Sequence, residues 1–417
     1  MRHLNRYLGQ LATAPLIDEP AEAKLGLITV IPCMHEPAMV ELLDHLRSCQ
    51  MSTTSDIEII IVLNHPASAA ELICKQNRDT LEQIKRWQVQ HNQSGFKVHL
   101  ITAFDLPAKA SGVGIARKIG MDEAMARFVS VGKEDGIIAS LDADCLVSSN
   151  YFTHLLQAFS QQPKMHAATI AYQHRIDEEA DTYHRLAITY YELFLRYIEM
   201  GWSYAGLPYA FTAIGSCFAV RANTAARHQG MNKRQAGEDF YFLHKLARER
   251  PLAHIAGVTV YPSARISSRT PFGTGQAISD WYHNDHTSWP VCAPELFIEL
   301  KKMHETLDQL FSTDTDSWLA NLSPSLRQYL QTAKIEQAAA SMRNNSSSAI
   351  NFKKSFYFWF DGLKAWRYAN QQQTIPIEEA LVTLLQLKGT PSLSNDAKEL
   401  LKQLRAAERI KYPRAGL

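Results

Sequence analysis

Two runs, residues 25–32 (LGLITVIP) and 57–63 (IEIIIVL), are β-branched and almost wholly apolar. A strand with one wet face alternates apolar and polar residues. These runs do not, so both of their faces must be covered. Shorter apolar runs occur at 98–102 and 136–141. Between them lie stretches with helical spacing. Pro37 opens one over 39–49, with apolar residues at 39, 42, 43 and 46. A second spans 67–90, with Leu72, Ile73, Leu81 and Ile84 as its apolar positions, and a third spans 112–128. Strands alternating with helices predict an α/β fold, a Rossmann-like, mostly parallel sheet flanked by helices on both faces. In such sheets ligands bind beyond the carboxyl ends of the strands. Each of these four strands runs into a polar loop there: CMHEP, NHPAS, FDLPAKASG and DADC.

After Asp144 the pattern loosens. Long helices are predicted over 181–200 and 235–250, a strand pair or bent strand over 211–220, and a strand over 254–261. Beyond Pro294 the chain reads as an appended C-terminal helical region. The net charge of +1 gives no pull toward nucleic acid. Six cysteines without a CxxC pair speak against a zinc site or a disulfide scaffold and fit a reducing compartment. No stretch approaches the roughly 20 apolar residues of a membrane helix. A cytoplasmic location is therefore expected.

Asp142 and Asp144 flank Ala143 directly after the fourth apolar run. In an extended segment, side chains at i and i+2 share a face, where two carboxylates repel each other unless a cation sits between them. Oxygen ligands of this kind suit Mg²⁺ or Mn²⁺, which also grip phosphate oxygens. A plain polar turn favours Asp equally well. Gly237, Glu238 and Asp239 open a helix; the two acids either cap it or present a general base. Gly112 and Gly114 precede a helix carrying Arg117 and Lys118, which makes either an anion cradle or a solvated turn. Arg265 and Arg269, in a Gly-rich stretch, could clamp a diphosphate or lie in a surface loop. His283 and His286 are candidate metal ligands or structural histidines.

One tail segment, 352–368 (FKKSFYFWFDGLKAWRY), is crowded with aromatics and basic. It could lie on an anionic membrane surface or pack as core. The core reading is preferred.

Taken in order, these motifs resemble the family 2 glycosyltransferases over about 25–278. Residues 213–247 (AIGSCFAVRANTAARHQGMNKRQAGEDFYFLHKLA) are especially similar to that family's acceptor-side segment. The resemblance implies a GT-A fold and sugar transfer from a nucleotide donor, UDP- or GDP-linked, to a hydroxyl acceptor: a glycan, a lipid-linked molecule or a small molecule. It implies an N-terminal extension over 1–24, a catalytic domain over 25–293 (nucleotide-binding half 25–150, acceptor half 151–293) and a helical domain over 294–417. By matching position, Pro32 and Glu36 would lie beside the base and ribose. Asn64 stands where the family usually has a base-reading Asp, so a uridine preference is not implied. Arg117 matches a basic position on the helix after the third strand. Asp142 and Asp144 match the metal and sugar-nucleotide DxD, with Mg²⁺ or Mn²⁺ as cofactor, and Asp239, preceded by Glu238, the catalytic base. The QxxRW motif of processive members is missing. The reaction implied is metal-dependent transfer with inversion. A retaining transferase on the same metal site and an inert sugar-nucleotide-binding protein are the rivals. A peripheral place at the inner face of the membrane, through 352–368, is the alternative to a purely cytoplasmic one.

Overall fold

The computed structural model describes residues 2–11, 15–179, 181–234, 237–265, 273–283, 288–389, 394 and 396–411. The first half runs α1 (Arg2–Leu11), β1 (Leu25–Cys33), α2 (Met39–Ser48), β2 (Asp56–Pro66), α3 (Glu71–His91), β3 (Phe96–Leu106), α4 (Val113–Ser130), β4 (Ile137–Ser140), β5 (Leu146–Val147) and α5 (Tyr151–Gln161). Then come β6 (Ala167–Tyr172), α6 (Thr182–Tyr204), β7 (Phe218–Arg221), α7 (Ala222–Arg227), α8 (Glu238–Glu249), β8 (Ala253–Tyr261), α9 (Thr274–His283) and β9 (Pro290–Cys292). The remainder is helical apart from one short strand: α10 (Glu295–Glu305), α11 (Leu307–Ser312), α12 (Thr315–Ala320), α13 (Pro324–Thr332), α14 (Ile335–Asn345), α15 (Ala349–Trp359), α16 (Gly362–Ala369), β10 (Thr374–Pro376), α17 (Ile377–Leu387) and α18 (Ala397–Lys411).

Eight strands form one sheet in the order β3-β2-β1-β4-β7-β6-β8-β5. The β3-β2-β1-β4 half is wholly parallel. Strand β7 runs antiparallel to both β4 and β6, while β6 and β8 are again parallel. This is the α/β, GT-A type architecture that the resemblance implied, with its C-terminal helices. The all-apolar runs are the buried central strands: Ile28, Val30, Ile31, Ile59, Ile60 and Ile61 are fully buried. One face of the sheet is covered by α2, α3 and α5, the other by α1, α4, α7 and α8.

Three expectations are corrected. Leu72 is exposed, because the apolar face of α3 turns inward at Ile84 and Trp87 instead. Of the expected strand pair or bent strand over 211–220, only its end pairs in the sheet, as β7; Ala213 and Ile214 line a cleft and pack against the core on either side. The segment 352–368 is two helices, α15 and α16, broken between Trp359 and Gly362. Phe352, Phe356, Tyr357, Phe360 and Tyr368 are buried there, which is the core reading; Phe358 remains exposed.

The long helix α6 belongs to both halves of the molecule. Its residues Leu193, Tyr197 and Trp202 share one apolar core with Phe297, Trp318 and Phe356 of the C-terminal helices. Gly201 permits that contact, since a Cβ there would meet the Phe297 ring at 2.1 Å. All six cysteines are free thiols. Among the described residues, no helix is long and apolar enough to cross a membrane.

Candidate active site

The carboxyl ends of β1, β2 and β4 open into a cleft of about 840 Å³. Pro32, Glu36, Asn64, Gly112, Arg117, Asp142, Asp144, Glu238, Asp239 and Arg265 all line it. Arg269 and His286 lie outside the described residues. His283 is exposed at the end of α9 and is not part of the lining. The structure thus brings together motifs that stand more than 200 positions apart in the chain.

Each loop is fixed by a short-range device. Asn77 of α3 is fully buried; its side-chain oxygen accepts the His35 N–H at 2.8 Å, and its Nδ2 donates to the Asn64 carbonyl at 3.0 Å. It therefore ties the end of β1 to the end of β2. Asn64 is itself buried and donates from Nδ2 to the Gly112 carbonyl at 3.4 Å. Gly112 takes φ 114°, where a side chain would be strained, and so turns the chain into α4. Gly114 does not line the cleft. A Cβ on it would lie 2.1 Å from the Arg234 carbonyl oxygen and 2.9 Å from Cγ of Glu238, so its smallness lets α4 pack on the start of α8.

Arg117 sits at the centre. It is 1% exposed, and its Nη2 donates to Asp142 Oδ1 at 2.6 Å while Nη1 donates to Glu238 Oε1. One guanidinium thus joins the DAD turn to the GED helix start. Its charge is committed to carboxylates, which makes it a clamp between motifs. Gly215 makes room for it: a Cβ there would come within 2.6 Å of Nη2. Sequence reasoning passed over Gly215, whose only signal was a glycine inside an apolar run.

A second arginine organises the other side. Arg265 donates from Nη1 to Glu36 Oε2 at 2.9 Å, pairs through Nη2 with Glu36 Oε1, and lies 3.0 Å from Asp144 Oδ2. Arg175, also missed, donates from Nη2 to the Asp144 carbonyl at 2.9 Å. Desolvation in the cleft pushes the Asp144 carboxyl up to about 6; the nearby Asp142 and Glu36 charges add to this and Arg265 opposes it. Among the described lining residues, five carboxylates (Glu36, Asp142, Asp144, Glu238 and Asp239) stand against two arginines, Arg117 and Arg265.

Asp239 stands in the first turn of α8, where the Phe240 N–H donates to its Oδ1 at 2.7 Å. Burial raises its carboxyl above the ordinary range, against the pull of Arg117. Asp239 and the Asp142/Asp144 pair line one cavity.

Among the described residues no group of three His, Cys, Asp or Glu side chains forms a complete ligand set for a metal. What the DAD turn offers is two carboxylates, each with one oxygen held by an arginine. That suits a hard cation which takes its remaining ligands from phosphate oxygens and water.

The family model for "Glycosyltransferase like family 2" matches residues 26–274. Among curated proteins, none matches the chain. Among solved structures, S. aureus TarS 1–349 in complex with UDP-GlcNAc is similar at 14% identity over 93% of this chain and 88% of that one, with a TM-score of 0.39. The mannosyltransferase PcManGT from Pyrobaculum calidifontis, in complex with GDP-Man and Mn²⁺, is similar at 13% identity over 98% of this chain and 94% of that one, TM-score 0.36. Glucosyl-3-phosphoglycerate synthase from Mycobacterium tuberculosis, in complex with Mn²⁺, UDP and glucosyl-3-phosphoglycerate, is similar at 15% identity over 56% of this chain and 70% of that one, TM-score 0.33.

Proposed function

The chain belongs to the glycosyltransferase-like family 2, and on that premise we propose that it transfers a sugar, with inversion, from a nucleoside-diphosphate donor to a hydroxyl acceptor, with Asp239 as general base. The observation that carries this reading is the shared cleft: an acidic pair fit for a diphosphate-bound cation and a separate desolvated carboxylate line one cavity.

Asp142 and Asp144 would hold Mg²⁺ or Mn²⁺, which when bound supplies Lewis-acid neutralisation of the leaving diphosphate. Arg117 keeps Asp142 oriented, and the Arg265–Glu36 pair does the same for Asp144. Asp239 takes the proton of the acceptor hydroxyl. The acceptor oxygen forms its bond to the anomeric carbon as the bond from that carbon to the diphosphate oxygen breaks, and the electron pair leaves with the diphosphate. One displacement inverts the centre. Burial helps Asp239 here, because a carboxylate with a raised pKa is the stronger base. Glu238, bound to Arg117 and 2% exposed, holds the clamp and leaves the proton transfer to its neighbour.

The experiment is a donor screen by thermal shift with Mn²⁺, and then the anomeric configuration of the product by NMR. A donor that binds only the folded state raises the melting temperature with its concentration. Retention of configuration would refute the single displacement.

A further inference from the structure

The cleft that Asp239 lines has a wall that carries none of the charged motifs. Tyr191 of α6 lines the same cavity as Asp239; burial pushes its phenol up to about 12, and the Asp239 charge adds to the rise. Leu363 and Trp366 of α16, with its C-cap Asn370, close the same cavity. These three stand beyond residue 274, where the family match ends. Trp366 is half-buried, and its ring is braced by Phe194 at 5.9 Å and Trp202 at 6.4 Å. It adds an aromatic side chain, held by these two ring contacts, to the lining of the site.

We propose that this wall is the acceptor subsite and that the acceptor is a neutral saccharide, one ring of which stacks on Trp366. The inference rests on the transferase reading and names the class of its second substrate. A pyranose has an apolar C–H face and a rim of hydroxyls. An indole offers the flat apolar partner for the first. The exposed Asn370 amide offers both a donor and an acceptor for the second. The charge of the cleft argues against an anionic acceptor. Among its described lining residues the cations are Arg117 and Arg265, and carboxylates hold both. With the cation on Asp142 and Asp144 taken up by the donor diphosphate, a phosphorylated acceptor would meet the Asp239 carboxylate with no described lining cation left to offset it.

The test uses the full-length protein with Mn²⁺ and monitors release of the nucleoside diphosphate. UDP-glucose, UDP-GlcNAc and GDP-mannose are tried as donors, and the one turned over is kept. Methyl pyranosides of glucose, mannose and galactose are then added as acceptor probes, beside their 6-phosphates. At least one neutral methyl glycoside accelerates release above the rate with water alone, and does so better than its phosphate. Trp366→Ala raises the KM for that glycoside roughly tenfold, while the donor KM changes by less than about twofold. Trp366→Phe restores most of the acceptor affinity, which a defect in folding would not allow. Three results would overturn the proposal: no neutral glycoside accelerates release, the phosphates are preferred, or Trp366→Ala leaves the acceptor KM alone or shifts the donor KM equally. If none of the donors is bound or turned over, the transferase reading itself fails, and the subsite with it.

Discussion

Arg117 Nη2 donates to Asp142 Oδ1 at 2.6 Å, and the same guanidinium pairs with Glu238. The DAD turn and the GED helix start of this chain are therefore mechanically joined. A change at one should be felt at the other.

Arg117→Met tests that linkage. It leaves Glu238 buried at 2% exposure without its partner. Removing one member of such a pair costs about 3–5 kcal/mol. A large fall in melting temperature is expected, together with weaker donor binding. Adding Glu238→Gln should recover part of the stability and none of the activity. Calorimetry and donor titration of the single and double variants check this.

Asp239→Asn should lower turnover by about 10²–10⁴-fold while sparing donor affinity, as expected for loss of a general base. The sign of the pH effect comes from its raised carboxyl pKa. The base works deprotonated, so kcat/KM rises with pH to a plateau, with a midpoint above the ordinary Asp value of about 3.9. That limb should vanish in Asp239→Asn. Near-normal turnover of the variant would show that Asp239 is not the base.

Chelation by EDTA should abolish transfer, and Mg²⁺ or Mn²⁺ should restore it. Asp144→Asn should weaken donor binding in the presence of metal and respond less to added Mn²⁺. Full activity in EDTA would remove the cation from the reaction.

Glu192 of α6 is fully buried and bonds Arg405 of α18 through both carboxylate oxygens, each at 2.7 Å. Burial pushes its carboxyl up, but Arg196, Arg405 and His174 outweigh this and hold it well below the usual range. A depressed folded-state pKa stabilises above the unfolded value of about 4.3 and loses that stabilisation as pH falls toward the folded value. Docking of α18 should therefore weaken in acid. Arg405→Met should cost about 2 kcal/mol near neutral pH, with less difference from the parent in acid. Protease sensitivity of the C-terminal helix against pH measures it.

Gly215→Ala should push Arg117 off Asp142, because the new methyl carbon would sit 2.6 Å from Nη2. A stability loss of about 1–3 kcal/mol is expected from such overpacking. Donor affinity should fall with it. An unchanged donor Kd would show that the Arg117–Asp142 bond does not govern binding.

The sheet and the acidic motifs were legible in the sequence because their signals are local. β1 and β2 announce themselves by unbroken burial, and the DAD turn by its place after a buried strand. Ala213 and Ile214 misled because they serve the cleft and the core at once. Apolar side chains facing a cleft read like those facing a core. Arg117 was visible as a charge, but its partners were not, since 25 residues separate it from Asp142 and 121 from Glu238. Trp366 stood within the aromatic segment 352–368, which the sequence marked only as core or membrane surface. Its role depends on where α16 packs, and nothing in the surrounding residues encodes that.

The double allegiance of α6 bears on how this molecule can be altered. A protein cut at residue 293 would retain every acidic motif yet lay bare the aromatic stripe around Tyr197 and Trp202. Such a stripe, open to water, invites clumping. Grafting a different tail onto these strands would need to reproduce that cover, so the helical cap and the sheet-bearing half are expected to be inherited as one piece.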